Sequence, residues 1–190
     1  MNQTYIEDEI FKGLNFIKKP LLKGVFECCT FNNCDFSNAN LSGFQFIECD
    51  FIDCNFSSAN LYDTQFQEVL FKNCKMLGLQ FEKCNSFGFV VKFNDCQLNH
   101  SSFYNLKLKK TNFLSCKLNE VDFTHSNLTD ANFENCNLLN AKFDNTILEK
   151  ADFRSAYNYA INPEINKIKG AKFLLKDVSG LLSQYQIIID

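Results

Sequence analysis

Ten cysteines and two histidines are the residues of this chain whose types could support redox or metal chemistry. Disulfide frameworks occur in secreted domains, and zinc sites need ligands clustered at CxxC-like spacing. Here the cysteines recur at intervals of five or twenty residues, and His100 and His125 lie near no such cluster. We therefore expect no disulfide, no metal site and no cofactor. The cysteines are interpreted as small apolar side chains that fill a tight interior, with Cys28 as the most exposed thiol.

Motifs of catalytic sites are missing from the sequence. It contains no glycine-rich phosphate loop and no HExxH, GxSxG or EF-hand pattern. His125 stands at an outward turn position, where a solvated side chain is expected. Four aspartates occupy repeat positions at which Asp caps turns: Asp50, Asp53, Asp122 and Asp152. We therefore predict that the protein is not an enzyme.

Overall charge and hydropathy exclude several classes of protein. The formal net charge is −3, whereas a nucleic-acid-binding protein should carry a basic surplus. No apolar run approaches the roughly 18 residues that a membrane span needs. The acidic start MNQTYIEDEI does not fit a secretion signal. The sequence predicts a cytoplasmic protein that makes no direct contact with nucleic acid or a membrane.

A five-residue period dictates where the side chains point. From Phe11 to Phe81, and again from Phe93 to Phe153, every fifth residue is large and apolar. With Phe173, which lies twenty residues after Phe153, 19 of the 22 Phe fall on this beat. Smaller residues, among them nine of the ten cysteines, sit two positions before each beat. A period of five matches neither a helix nor a strand. It is the period expected of a chain that turns a corner every five residues, with two side chains inward and three outward.

Four such sides would close a coil of twenty residues, and this can be tested within the sequence. Residues twenty apart, or twenty-two apart across residues 85–92, should form columns of one residue type. The large positions give one column of phenylalanines: Phe31, Phe51, Phe71, Phe93, Phe113, Phe133 and Phe153. The small positions give one column of cysteines: Cys34, Cys54, Cys74, Cys96, Cys116 and Cys136. Both columns are predicted to form the structural core.

Segments such as CDFSN, ANLSG, VDFTH and ADFRS match the consensus A(D/N)LXX, so the chain resembles the pentapeptide-repeat family over about residues 24–155. The resemblance implies an all-β fold, a right-handed quadrilateral β-helix, here of about seven coils of 20 residues. We assign residues 1–153 to this β-helix, with a slip or bulge at 85–92. Residues 154–190 are assigned to a C-terminal capping and dimerisation segment with a short helix and a terminal strand.

The slip NSFGFVVK carries two phenylalanines that are off the beat, Phe87 and Phe89, on either side of Gly88. Two interpretations remain open. The extra aromatic side chains fold back onto a widened corner, or they form an exposed knob that contacts a partner.

Charge is distributed in three blocks along the chain. Residues 24–71 contain seven acids and no Lys or Arg, residues 72–119 carry a net charge of +6, and residues 120–153 carry −5. Because coils stack in sequence order, the blocks should become bands along the rod. The last band is the candidate partner-binding surface and includes Glu120, Asp122, Asp130, Glu134 and Asp144.

The end of the chain, with LL, a short spacer and an aliphatic strand, resembles the dimerising end of the Qnr/MfpA-type quinolone-resistance proteins. The resemblance implies a homodimer formed through Leu181, Leu182, Ile187, Ile188 and Ile189. It also implies a non-enzymatic DNA mimic that binds DNA gyrase or topoisomerase IV and modulates quinolone sensitivity. The alternative is an interaction scaffold, such as a regulatory or immunity factor, whose protein partner is not a topoisomerase. Acids of 120–153 grouped on one face would favour the mimic, and scattered acids would favour the scaffold.

Overall fold

The fold consists of short parallel strands that wind into a coil. This is seen in a computed structural model, which describes residues 4–188. The prediction of an all-β coil is confirmed. The strands are β1 (Thr4–Glu7), β2 (Ile10–Lys12), β3 (Gly24–Glu27), β4 (Thr30–Asn32), β5 (Gln45–Ile47), β6 (Asp50–Ile52), β7 (Gln65–Gln67), β8 (Val69–Lys72), β9 (Val91–Asn94) and β10 (Phe113–Leu114). They form two parallel sheets, ordered β1-β3-β5-β7 and β2-β4-β6-β8-β9-β10.

The register between neighbouring strands repeats every twenty residues. Phe11 lies beside Phe31, and Val69 lies beside Val91 because the bulge adds two residues. Single bridges continue the pairing beyond the strands, and the last one joins Asp152 to Lys172, within the segment assigned to the cap. Each coil therefore has four sides, which we call faces A to D. Their first large inward residues are Phe11 for face A, Phe16 for B, Leu21 for C and Ile6 for D.

Face A is built on an unbroken stack of phenylalanine rings from Phe11 to Phe173. Consecutive rings lie 4.7–5.5 Å apart between centroids, with interplanar angles of 3–12°. Rings of the opposite face C meet this stack edge-on, as Phe103 and Phe123 meet Phe113 at 5.9 and 5.8 Å. The seven predicted phenylalanines all lie in the interior at 0% exposure. Offset stacking combined with edge contacts is the arrangement that aromatic rings prefer.

The six cysteines of the predicted column are buried and free. Each thiol donates a hydrogen bond to the backbone carbonyl of a stacked phenylalanine in the preceding coil, at Sγ to O distances of 3.2–3.5 Å. Burial raises the pKa of the interior Cys49 thiol to about 12, which keeps it protonated as a donor. Cysteine therefore both fills the small position and ties adjacent coils together.

Most corners of the coil contain a residue in the left-handed backbone conformation. It stands two positions after the large inward residue, as in Asn33 (φ 51), His125 (φ 61) and Gly78 (φ 67). Asn, Asp and Gly tolerate this conformation best, which explains their frequency between the apolar positions. Cys28 occupies such a corner (φ 52), so its side chain is exposed while Cys29 is buried.

The C-terminal helix is of the 3-10 type. One segment spans Leu175–Leu181 and a second spans Ser183–Tyr185, in addition to a single 3-10 turn at Phe81–Lys83. Short helical segments often take this tighter form. The first segment packs on the last coil, where the Tyr159 hydroxyl donates to the Asp177 carbonyl at 2.8 Å.

The terminal strand expected after this helix is absent up to Ile188. Ile187 and Ile188 lie in neither a helix nor a strand. A strand needs a neighbouring backbone to pair with, and no bridge within residues 4–188 provides one for these two residues. Ile189 lies outside the described residues.

Candidate interaction surfaces

Metal-binding clusters of side chains are not present in the described part of the chain. Within residues 4–188, no group of three or more His, Cys, Asp or Glu side chains is arranged to hold a metal ion. Nine of the ten thiols are buried, and only Cys28 is exposed. None of the helices described is long and apolar enough to cross a membrane. The features that remain are the outer faces of the coil.

The predicted acidic band at 120–153 does not form one surface. Asp122 and Asp144 lie on face C, Asp130 on face D and Glu134 on face A. Glu120 stands at the corner after face B, where its carboxylate is 3.2 Å from His100 Nδ1. Because the chain changes face every five residues, neighbours in sequence share a height along the rod but point in different directions. The acids of this band are therefore scattered.

Carboxylates do line up on face D in the N-terminal half. We call this row the acidic stripe: Glu7, Asp8, Glu27, Glu48 and Glu68. Face D carries no Lys or Arg between residues 4 and 68, and Glu7 is in register beside Glu27. The stripe joins acids from separate coils, and two of them precede the bands defined from sequence. It becomes visible only when the sequence is folded at twenty residues per row.

The Cys28 thiol lies within the acidic stripe, and the carboxylates of the stripe shift its pKa. Its pKa is raised, first by partial desolvation and then by the carboxylates of Glu48, Asp8, Glu27 and Glu7. Tyr5 beside them donates a hydrogen bond from its hydroxyl to Glu27 Oε2 at 2.5 Å, and this bond raises the pKa of Tyr5 to about 12. Four of the five carboxylates of the stripe therefore lie close enough to act together on one thiol.

Face D changes sign in its C-terminal half. We call the cations there the lysine patch, and all of them are exposed: Lys107, Lys109, Lys110, Lys150, Lys167 and Lys169. Asp130 and Glu149 share this half of the face. Face D thus carries carboxylates towards one end of the rod and ammonium groups towards the other.

The bulge lies between the acidic stripe and the lysine patch. Its two phenylalanines behave differently: Phe89 is half-buried and meets the Phe81 ring edge-on at 6.5 Å, whereas Phe87 is 76% exposed. Phe89 therefore folds back onto the corner, as the first interpretation predicts, whereas Phe87 is exposed and its contact with a partner stays a prediction. Beside the bulge lies a groove of about 670 Å³ whose walls include Phe89, Tyr104 and Leu106.

The predicted dimer residues lie at the end of the rod. Leu181 and Leu182 are half-buried, and Leu181 packs against the core. Ile187 and Ile188 are 56% and 90% exposed. The aliphatic side chains at the end of the chain are thus open to a partner as far as they are described.

Comparison with known proteins identifies the repeat. A family profile described as a pentapeptide repeat region matches residues 25–88 and 89–157. No curated protein matches the chain.

Solved structures share the fold at low sequence identity. HetL from the cyanobacterium Nostoc sp. strain PCC 7120, a pentapeptide-repeat protein involved in the regulation of heterocyst differentiation, is 14% identical with a TM-score of 0.68, covering 89% of this chain and 84% of its own. A trypsin-treated form of QnrB1, a plasmid-mediated fluoroquinolone resistance protein, is 16% identical with a TM-score of 0.60, covering 95% and 98%. Full-length QnrB1 is 20% identical with a TM-score of 0.50, covering 97% and 100%.

Proposed function

The chain belongs to the pentapeptide-repeat family, and from this premise we propose that it is a non-enzymatic scaffold that binds a protein partner in the cytoplasm. The acidic stripe carries the proposal. Five carboxylates on one face, with no cation among them, form a surface that attracts a basic partner and orients it along the rod. Beneath the stripe, the stacked rings of Phe26, Phe46 and Phe66 tie successive coils together, which lowers the entropy cost of docking. The buried free thiols suit a reducing compartment.

The experiment compares two variants that each lose three negative charges. The stripe variant carries Glu27→Gln, Glu48→Gln and Glu68→Gln, and the control variant carries Glu120→Gln, Glu134→Gln and Asp144→Asn on other faces. A partner isolated with the wild-type protein should bind the control variant with unchanged affinity. It should bind the stripe variant at least tenfold more weakly at low salt. Equal loss of binding in both variants would contradict a role for the stripe.

DNA mimicry is the second candidate function, in which the partner is DNA gyrase or topoisomerase IV. The fold shared with QnrB1 favours it, since that protein is a fluoroquinolone resistance protein. The same fold is shared with HetL, a protein involved in the regulation of heterocyst differentiation, so the fold does not choose between the two functions. The scattered acids of 120–153 place mimicry second, because a mimic must present its carboxylates together to a site built for phosphates.

A supercoiling assay with purified DNA gyrase, with and without a fluoroquinolone, tests the second candidate. The protein should inhibit supercoiling or protect gyrase from the drug if it is a DNA mimic. Loss of this effect in the stripe variant, but not in the control variant, would establish DNA mimicry by face D. No effect at about tens of micromolar protein would leave the scaffold with another partner.

A homodimer through the C-terminus is part of the same proposal. Ile187 and Ile188 are exposed at the end of the rod, where a second copy could cover them. Replacing Ile188 by aspartate would place a charge in that contact and should abolish a dimer formed there. A dimer that persists in this variant must use another surface.

A further inference from the structure

We infer that the N-terminal end of the rod is a self-association surface, on which a second copy of this chain docks end to end. The first coil, residues 4–23, carries the edge strands β1 and β2, and within the described residues no coil stacks on its outer side. Its inward residues Ile6, Phe11 and Leu21 are only half-buried. Their equivalents in the second coil are buried at 0–1% exposure: Phe26, Phe31 and Leu41. The end of the rod thus exposes part of its own core.

Further apolar side chains surround this open end. Ile10, Leu14, Ile17 and Leu22 are all exposed, at 40–73% of their surface. An exposed apolar patch with a charged rim often marks an interaction site in a soluble protein. The opposite end of the rod differs, because the 3-10 segment Leu175–Leu181 packs on the last coil there. A second copy can therefore match the open end with its own N-terminal end, but not with its C-terminal end.

Two charged residues at this end occupy positions that are apolar in the next coil. Glu9 and Lys19 stand at the small inward positions that Cys29 and Ala39 fill one coil later, and both are exposed. Neither forms an ion pair within residues 4–188. They are ten residues apart, which is half a coil, so they lie at diagonally opposite corners. Glu9 lies at the corner between faces D and A, and Lys19 at the corner between faces B and C.

The diagonal placement of these charges selects one arrangement of the two copies. Two ends meet about a twofold axis that lies in the plane between them, perpendicular to both rods. To superimpose four-sided ends, this axis must run through two opposite corners or through the middles of two opposite faces. Only the axis through the A–B and C–D corners brings the D–A corner of one copy onto the B–C corner of the other. Glu9 of each copy then meets Lys19 of the other copy, and Asp8 meets Lys18.

The same axis also matches the apolar residues of the two ends. It lays face A on face B and face D on face C, so Phe11 meets Phe16 of the other copy and Ile6 meets Leu21. Leu14, at the A–B corner, lies on the axis and meets its own equivalent. Phe11 and Phe16 are the first rings of two stacks and lie 4.7 and 4.6 Å from the next ring in each. Each stack would therefore continue into the other copy.

The size of the open end sets the expected strength. Four strand residues give a side of about 13 Å, and outward side chains widen the end to about 20 Å. The contact would bury about 400 Å² per copy, or about 800 Å² in all, which is in the range of weak, transient interfaces. Lys23, at the C–D corner on the axis, does not oppose the contact, because its Nζ lies over Gly43 in the second coil. We therefore expect a dissociation constant of about 100 µM at low salt, rising with ionic strength.

Sedimentation equilibrium of the full chain tests the inference without any other partner. All proteins carry Ile188→Asp, so that the C-terminus cannot form the dimer. Glu9→Lys and Lys19→Glu should each self-associate at least tenfold more weakly than this parent protein, since like charges then meet twice. An equimolar mixture of the two variants should associate as tightly as the parent, because opposite charges meet again at both corners. A protein with both substitutions should dimerise for the same reason.

Two further variants make the result specific. Leu14→Asp should prevent association, because two carboxylates would meet on the axis, and it should keep the fold, since Leu14 is 40% exposed. Glu134→Lys with Lys142→Glu, at exposed positions in the middle of the rod, should leave the dimer unchanged. A parent protein that stays monomeric at about 1 mM and low salt would overturn the inference, as would a folded Glu9→Lys, Lys19→Glu protein that fails to dimerise. Because no partner is present, this failure would leave the scaffold proposal standing.

Discussion

Replacing Phe113 by alanine removes one ring from the middle of the stack on face A. The ring is fully buried and lies between Phe93 at 5.3 Å and Phe133 at 5.1 Å, with interplanar angles of 10° and 3°. It also has two edge contacts, with Phe103 and Phe123. Loss of a buried phenylalanine side chain costs about 3–5 kcal/mol of unfolding free energy. Because all four ring contacts are lost and the backbone of adjacent coils is held in register, we expect Phe113→Ala to lower the unfolding free energy by about 4 kcal/mol.

Phe173→Ala is the matched variant at the end of the same stack. That ring is half-buried, stacks only on Phe153 at 5.3 Å and is tilted against Tyr159 at 5.6 Å. Because less surface and fewer ring contacts are lost, the cost should be about half as large, near 2 kcal/mol. Phe87→Ala serves as the control for an exposed ring and should change stability by less than about 0.5 kcal/mol.

Urea unfolding followed by circular dichroism gives the three free energies, and thermal melting checks them. For a chain of this length, about 1 kcal/mol corresponds to 2–4 °C, so Phe113→Ala should lower the melting temperature by about 8–16 °C. A cost for Phe113→Ala no larger than for Phe87→Ala would refute the continuous stack. Equal costs at Phe113 and Phe173 would refute the dependence on neighbouring rings.

Three further predictions concern the surface. Cys28 should be the one thiol that reacts with a disulfide reagent in the folded protein, and Glu48→Gln should speed this reaction at pH 8, because a carboxylate that raises the pKa of the thiol is removed. The Arg154 guanidinium lowers the pKa of Asp152 below its usual 3.8, chiefly by hydrogen bonding, so Arg154→Ala should lose stability near neutral pH. That loss should disappear as the pH falls below 3.8 and Asp152 is protonated, which urea midpoints at a series of pH values would show. Asn140 has φ 57, so Asn140→Val should cost about 1–2 kcal/mol of unfolding free energy, whereas Asn140→Gly should cost nothing measurable.

The interior could be predicted because the same residue type returns at the same inward position of successive coils. A phenylalanine or cysteine that recurs every twenty residues marks one column. The rings of a column must then stack, because successive coils are spaced like paired strands. What the residue types did not show is the thiol hydrogen bond, as between Cys136 and the Phe113 carbonyl at 3.2 Å, because it depends on where a backbone oxygen points. The chain after Phe173 lacks the repeat, so its 3-10 helix, and the lack of a strand at Ile187 and Ile188, could not be obtained from columns.

The outer surface was harder to predict, since charge counted along the chain gives height on the rod but not direction. The seven acids of 120–153 looked like one band, yet Asp122, Asp130 and Glu134 point from three different faces. The acidic stripe was missed for the converse reason, because Glu27, Glu48 and Glu68 are separated by about twenty residues. Writing the sequence in rows of twenty residues shows both the scatter of the acids of 120–153 and the alignment of the acidic stripe.

The constant register between coils has a consequence for folding kinetics. Most inter-coil hydrogen bonds join residues about twenty positions apart, from Gly13 with Asn32 to Lys172 with Ala151. The relative contact order is therefore about 0.1, which is typical of helical bundles, whereas sandwiches and barrels made of strands have about 0.16–0.22. Closing each new coil costs the same loop entropy wherever it forms, so the chain can grow coil by coil from an early nucleus. This all-β chain is expected to fold faster than a β-sandwich of equal length, and added coils would lower its relative contact order further.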